Sequence, residues 1–133
     1  NKGRKFASRF STIIPSQTFL KKCCLTNGKH NCAILLNNEH IDDIGNGMQQ
    51  RDFAILYGAS DSLTLIFRDG EFVFSGDQMR CFADELKIRD DLIESLEPEN
   101  EDIVIITSSD DKFVAEISAI NTAIGTLATH EKH

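Results

Sequence analysis

Tryptophan is absent, tyrosine occurs once, proline twice, and no acidic side chain precedes Glu39. Without Trp, the nine Phe must join Ile and Leu to build the core. No apolar stretch approaches the ~20 residues of a membrane-spanning helix; Ala33–Leu36 and Ile103–Ile106 represent the longest kind of run. The chain has no Cys-x-x-Cys knuckle, no glycine loop followed by a lysine, no repeat and no low-complexity tract. These absences remove zinc-knuckle and phosphate-loop chemistry from consideration.

What is present is an uneven division of charge. Lys2, Arg4, Lys5, Arg9, Lys21, Lys22 and Lys29 precede the first carboxylate, so a +7 segment leads a −14 body and the total is −7. Such asymmetry marks an electrostatic arm, a targeting segment or an interface rather than a reaction. The 133 residues fit one domain. We divide the chain into a basic arm over 1–18 and a domain over 19–133. The acid-free, Arg- and Ser-containing start also overlaps in composition with organellar transit peptides.

Four cysteines are present, and Cys23 and Cys24 are adjacent. In a strand, neighbouring side chains point to opposite faces, which suits buried thiols better than a disulfide framework. This reading places the chain inside the cell, in the cytoplasm, with an organelle as the alternative.

Hydrophobic periodicity yields an α+β class. Phe19–Leu25 is a strand or a short helix, and His30–Leu36 is a strand, the two forming a hairpin across Thr26–Lys29 if Leu25 ends a strand. Residues 37–50 read as a loop and Asp52–Tyr57 as a compact strand. Ser62–Phe67 and Glu71–Ser75 flank Asp69-Gly70, a strong hairpin signal. Ser75 and Gln78 have the form of a capping box opening a helix. Its apolar positions Met79, Phe82, Ala83, Leu86, Ile93 and Leu96 recur at helical spacing, with a slip near Arg89-Asp90. Asp102–Thr107 is a strand, and Lys112–Ser118 alternates like a half-buried strand. Ala119–Leu127 suits a short helix. The expectation is a mostly antiparallel sheet of about six or seven strands with one long amphipathic helix over about 77–96.

Cys23, Cys24, His30 and Cys32 are weak metal candidates by ligand type, at poor spacing. Cys32 with His40 is the most obvious nucleophile–base pair, and no family signature accompanies it. The loop at Asp42–Gly47 fails the alternation of an EF-hand. No cofactor is expected.

The lead expectation is a non-enzymatic binding or adaptor protein that offers a sheet face or the acidic helix to a protein partner. The contacts would be Arg80, Asp84, Glu85, Lys87, Arg89, Asp90, Asp91 and Glu94, the bases setting register. Secretion chaperones and toxin-neutralising immunity proteins are compatible in size and acidity, without a motif to name either. The basic arm docking on the acidic helix of another copy would give a homo-oligomer. A second expectation is nucleic-acid association through Lys2, Arg4, Lys5, Arg9, Lys21 and Lys22. A third is a small thiol enzyme.

Overall fold

The computed structural model describes residues 16–20, 29–37, 44, 48–75 and 86–131. Their elements are β1 (Ser16–Leu20), β2 (His30–Leu36), α1 (Met48–Leu56), β3 (Asp61–Arg68), β4 (Glu71–Phe74), α2 (Leu86–Leu96), β5 (Ile103–Ser109) and α3 (Lys112–Glu131). The class is α+β, with a five-stranded sheet in the order β1-β2-β5-β3-β4 and every neighbouring pair antiparallel.

β5 occupies the centre and is buried along its whole length. Its β-branched run Ile103–Thr107 fits a strand covered on both faces. Because β2 and β3 each pair antiparallel with β5, they run parallel to one another. α1 carries the chain between them and packs on β3 and α3.

Alternation along the strands supplies two apolar layers. On one face Ala33, Leu35, Leu65, Phe72, Val104 and Ile106 meet Leu92 and Leu96 of α2. On the other, Cys32, Ile34, Leu36, Ile66, Ile103 and Ile105 meet Ala115, Ala119 and Ala123 of α3. Alanines at i, i+4 and i+8 leave one small-residue stripe, which lets α3 approach the sheet closely. Both faces of the sheet therefore carry a helix. Among the described residues no helix is long and apolar enough to cross a membrane.

Several sequence expectations are corrected. Among the described residues five strands stand in place of six or seven, because two of the runs read as strands are helical. Asp52–Tyr57 lies largely in α1, where Gln50 and Ala54 are the inward pair. Lys112–Ser118 is the start of α3, and the short helix at 119–127 is its continuation. The buried positions Ala115, Ser118, Ala119, Thr122, Ala123 and Thr126 follow helical spacing. The alternation of Phe113, Ala115 and Ile117 does not reflect burial, since Phe113 is exposed.

α2 runs unbroken through Arg89-Asp90, where the periodicity slips. Of the expected capping box only Ser75 is among the described residues; residues 76–85 lie outside them, as does nearly all of the Thr26–Lys29 turn. The β3–β4 hairpin matches its Asp-Gly signal: Asp69 and Gly70 both take positive φ, 54° and 82°. β1 begins at Ser16, inside the segment read as the basic arm.

Candidate interaction surface

α2 turns Ile88, Leu92 and Leu96 inward and leaves Lys87, Asp90, Asp91 and Glu94 exposed. Its last turn closes with Glu97 in the left-handed region at φ 49°, its N–H donating to Ile93 O at 2.9 Å. Pro98 then prevents continuation. The exposed acids Glu97 and Glu99 extend the acidic strip into the loop.

Arg89, expected to set register with a partner, reaches across to β4 of its own chain. Its Nη1 lies 2.7 Å from Glu71 Oε1 on β4, and its Nη2 lies 3.1 Å from Asp90 Oδ1. The hydrogen bond to Asp90 and the charge of Glu71 hold its pKa above the ordinary value. Arg89 thus ties α2 to the sheet edge. Asp91 and Glu94 form no ion pair among the described residues, so their charge faces solvent. Arg80, Asp84 and Glu85 lie outside the described residues.

The other expected sites divide the same way. Lys2, Arg4, Lys5, Arg9, Lys21, Lys22, Cys23, Cys24 and His40 all lie outside the described residues. His30 opens β2, half-buried. Cys32 is buried beneath α3, where desolvation, with Glu116 nearby, pushes its thiol up to about 12. No group of three or more metal-ligating side chains occurs among the described residues.

A second surface escaped the sequence reading. α1 and α3 pack closely: a Cβ on Gly125 would stand 3.1 Å from the Phe53 ring, and one on Gly58 3.2 Å from Val114. Gln50 Nε2 donates to Thr126 Oγ1 at 3.2 Å. Outside this contact Ile55, Leu56, Tyr57, Phe113 and Ile124 are exposed, Leu56 by 76% and Phe113 by 68%. Four of these residues, Ile55, Leu56, Tyr57 and Phe113, stand in the two segments read as strands. The amphipathic helical spacing around Gln50 was hidden because a glutamine holds an inward position.

The family described as "Domain of unknown function (DUF4443)" matches residues 27–127. The chain belongs to this family. No curated protein matches it. Among solved structures it is similar to "Hypothetical protein PH0730 from Pyrococcus horikoshii OT3", with a TM-score of 0.70 and 22% identity. The match covers 96% of this chain and 64% of that one. At this identity the likeness is one of fold. The chain thus spans somewhat less than two thirds of that structure's length.

Proposed function

We infer that the chain is a non-enzymatic protein-binding module whose acidic α2 face receives a basic surface of a protein partner. The observation that carries this reading is the contrast within α2. Arg89 is occupied by Glu71 and Asp90, whereas Asp91 and Glu94 are exposed and unpaired among the described residues. The exposed side of α2 carries Asp90, Asp91 and Glu94 against Lys87, and a net negative strip raises encounter rates with a basic surface and disfavours acidic partners. It also disfavours nucleic acid on this face, because a polyanion would be repelled.

The thiol-enzyme reading loses support at Cys32. A buried thiol raised to about 12 supplies no thiolate near neutral pH. The nucleic-acid reading rests on residues outside the described set and stands as an outcome of the binding test. A cytoplasmic location and assembly through the basic arm belong to the same proposal.

The test is the variant Asp90→Lys/Asp91→Lys/Glu94→Lys measured against a captured partner. The reading expects a slower association rate and a flattened salt dependence. Unchanged association and salt dependence would remove α2 as the contact.

A further inference from the structure

α3 is apolar on two opposite faces. Ala115, Ala119 and Ala123 turn towards the sheet. On the other side Phe113, Ile117, Ile120 and Ile124 follow one another at spacings of four, three and four residues, so they form one stripe along the outer face. Phe113 and Ile124 are exposed, and Ile117 and Ile120 are half-buried. Between Lys112 and His130 the helix carries a single charged side chain, Glu116. α2, by contrast, turns Lys87, Asp90, Asp91 and Glu94 to solvent. A helix that is apolar all round is normally covered all round.

α1 widens the stripe. It lies beside α3 in the opposite direction: Gly58, just past its end, approaches Val114 at the start of α3, and Phe53 approaches Gly125. That brings the exposed Leu56 and Tyr57 to the Phe113 end. The open parts of Leu56, Tyr57, Phe113 and Ile124 amount to roughly 400 Å² per chain. Two such patches pressed together hide roughly 800 Å², and Ile117, Ile120 and Asn121 carry the total to the ~1,000 Å² of a specific interface.

We propose that this surface is the contact between two copies of the chain, their α3 helices crossing antiparallel about a two-fold axis between Ile117 and Ile120. The stripe reads the same from either end, so the arrangement sets Phe113 against Ile124 of the second copy and Ile117 against its Ile120. The spacing is that of a coiled-coil seam, which accepts another like itself. Charge favours the same occupant. Each chain carries −7 overall, and two copies meeting through α2 would repel, whereas on α3 they meet across nearly neutral surface. The antiparallel crossing places Glu116 opposite Asn121; a parallel one would set it against a second Glu116. α2 covers the opposite face of the sheet and stays open in the dimer.

Sedimentation velocity on the full chain tests it. The parent should pass from monomer to dimer as its concentration rises through the micromolar range. Phe113→Glu and Ile124→Lys, each made alone, should raise the dimer Kd by about 30-fold or more. Combined in one chain, they should bind about tenfold more tightly than either alone, because opposite charges then face each other across the axis. Within one chain the two positions stand roughly 16 Å apart along the helix, too far to pair. Asp90→Lys/Asp91→Lys/Glu94→Lys should dimerise as the parent does, which separates this contact from the α2 site. Circular dichroism confirms that each variant is folded. A parent that stays monomeric, single variants that dimerise like the parent, a combined variant without recovery, or loss of the dimer in the α2 variant would each overturn the interface.

Discussion

Arg68 grips Glu101 with both arms of its guanidinium: Nε lies 2.8 Å from Oε1 and Nη2 2.7 Å from Oε2. The pair joins the end of β3 to the loop that enters β5, where Glu101 takes φ 71° and its N–H bonds Phe67 O. The hydrogen bond from Arg68 holds the Glu101 carboxyl below its ordinary pKa, against a smaller opposing effect of burial.

The sign of the pH dependence follows. A depressed carboxyl pKa adds stability that is complete above the unfolded value of about 4.3 and fades as pH falls through the folded value. Both side chains are about a third exposed, so after solvent screening the pair contributes no more than ~1 kcal/mol. Glu101→Gln should lower Tm by a few degrees at pH 7. The gap to the parent should close as thermal melts are taken towards pH 3. A gap that persists at acid pH would mean the carboxylate is not its source.

The Gly125–Phe53 contact predicts coupling between α3 and α1. Gly125→Ala gains helix propensity of about 1 kcal/mol, but its Cβ meets the Phe53 ring at 3.1 Å. The substitution should stabilise the Phe53→Leu background more than the parent, by ~0.5–1 kcal/mol in a double-mutant cycle. Denaturant titration of the four proteins measures it. Additive effects would show that the ring yields freely.

Asp111 begins α3. Its Oδ1 accepts from Phe113 N at 2.9 Å and Val114 N at 3.3 Å, and Ser109 Oγ accepts from Asp111 N at 3.1 Å. Asp111→Ala should cost about 1 kcal/mol in denaturant unfolding. Asp111→Ser, which keeps a capping oxygen, should recover most of it.

How far the sequence carried depended on who sits at each inward position. β2, β5 and the Asp69-Gly70 hairpin were legible because their apolar alternation or turn chemistry is strong. In α2 the inward Leu96 was legible, as were the solvent-facing acids Asp90, Asp91 and Glu94, but the row was read through Leu86, which is exposed, and not through Leu92, which is buried. α1 was not, because its inward residues are Gln50 and Ala54, neither of which registers as a hydrophobic stripe. α3 was misread at its start because Phe113, Ala115 and Ile117 alternate by chance. Its true inward row consists of Ala, Ser and Thr, small side chains chosen for close packing. Arg89 illustrates a further limit: its partner Glu71 is distant in sequence, so pairing across the fold was invisible.

Cys32 should be chemically silent in the folded chain. Its thiol, raised to about 12, favours the native state below the unfolded thiol pKa near 8.5. That stabilisation is lost as pH rises from there towards the folded value. A thiol-specific reagent at pH 8 should modify Cys32, located by peptide mapping, only in denaturant. Rapid modification of the native chain would reopen the nucleophile reading.

The most direct test of protein binding through α2 is affinity capture from source-cell extract, with nuclease present. The intact chain is run beside Asp90→Lys/Asp91→Lys/Glu94→Lys, after circular dichroism has shown that both are folded. The account predicts a stoichiometric protein that survives nuclease with the parent and is lost with the triple variant. Equal capture by both, or capture abolished by nuclease, would contradict it.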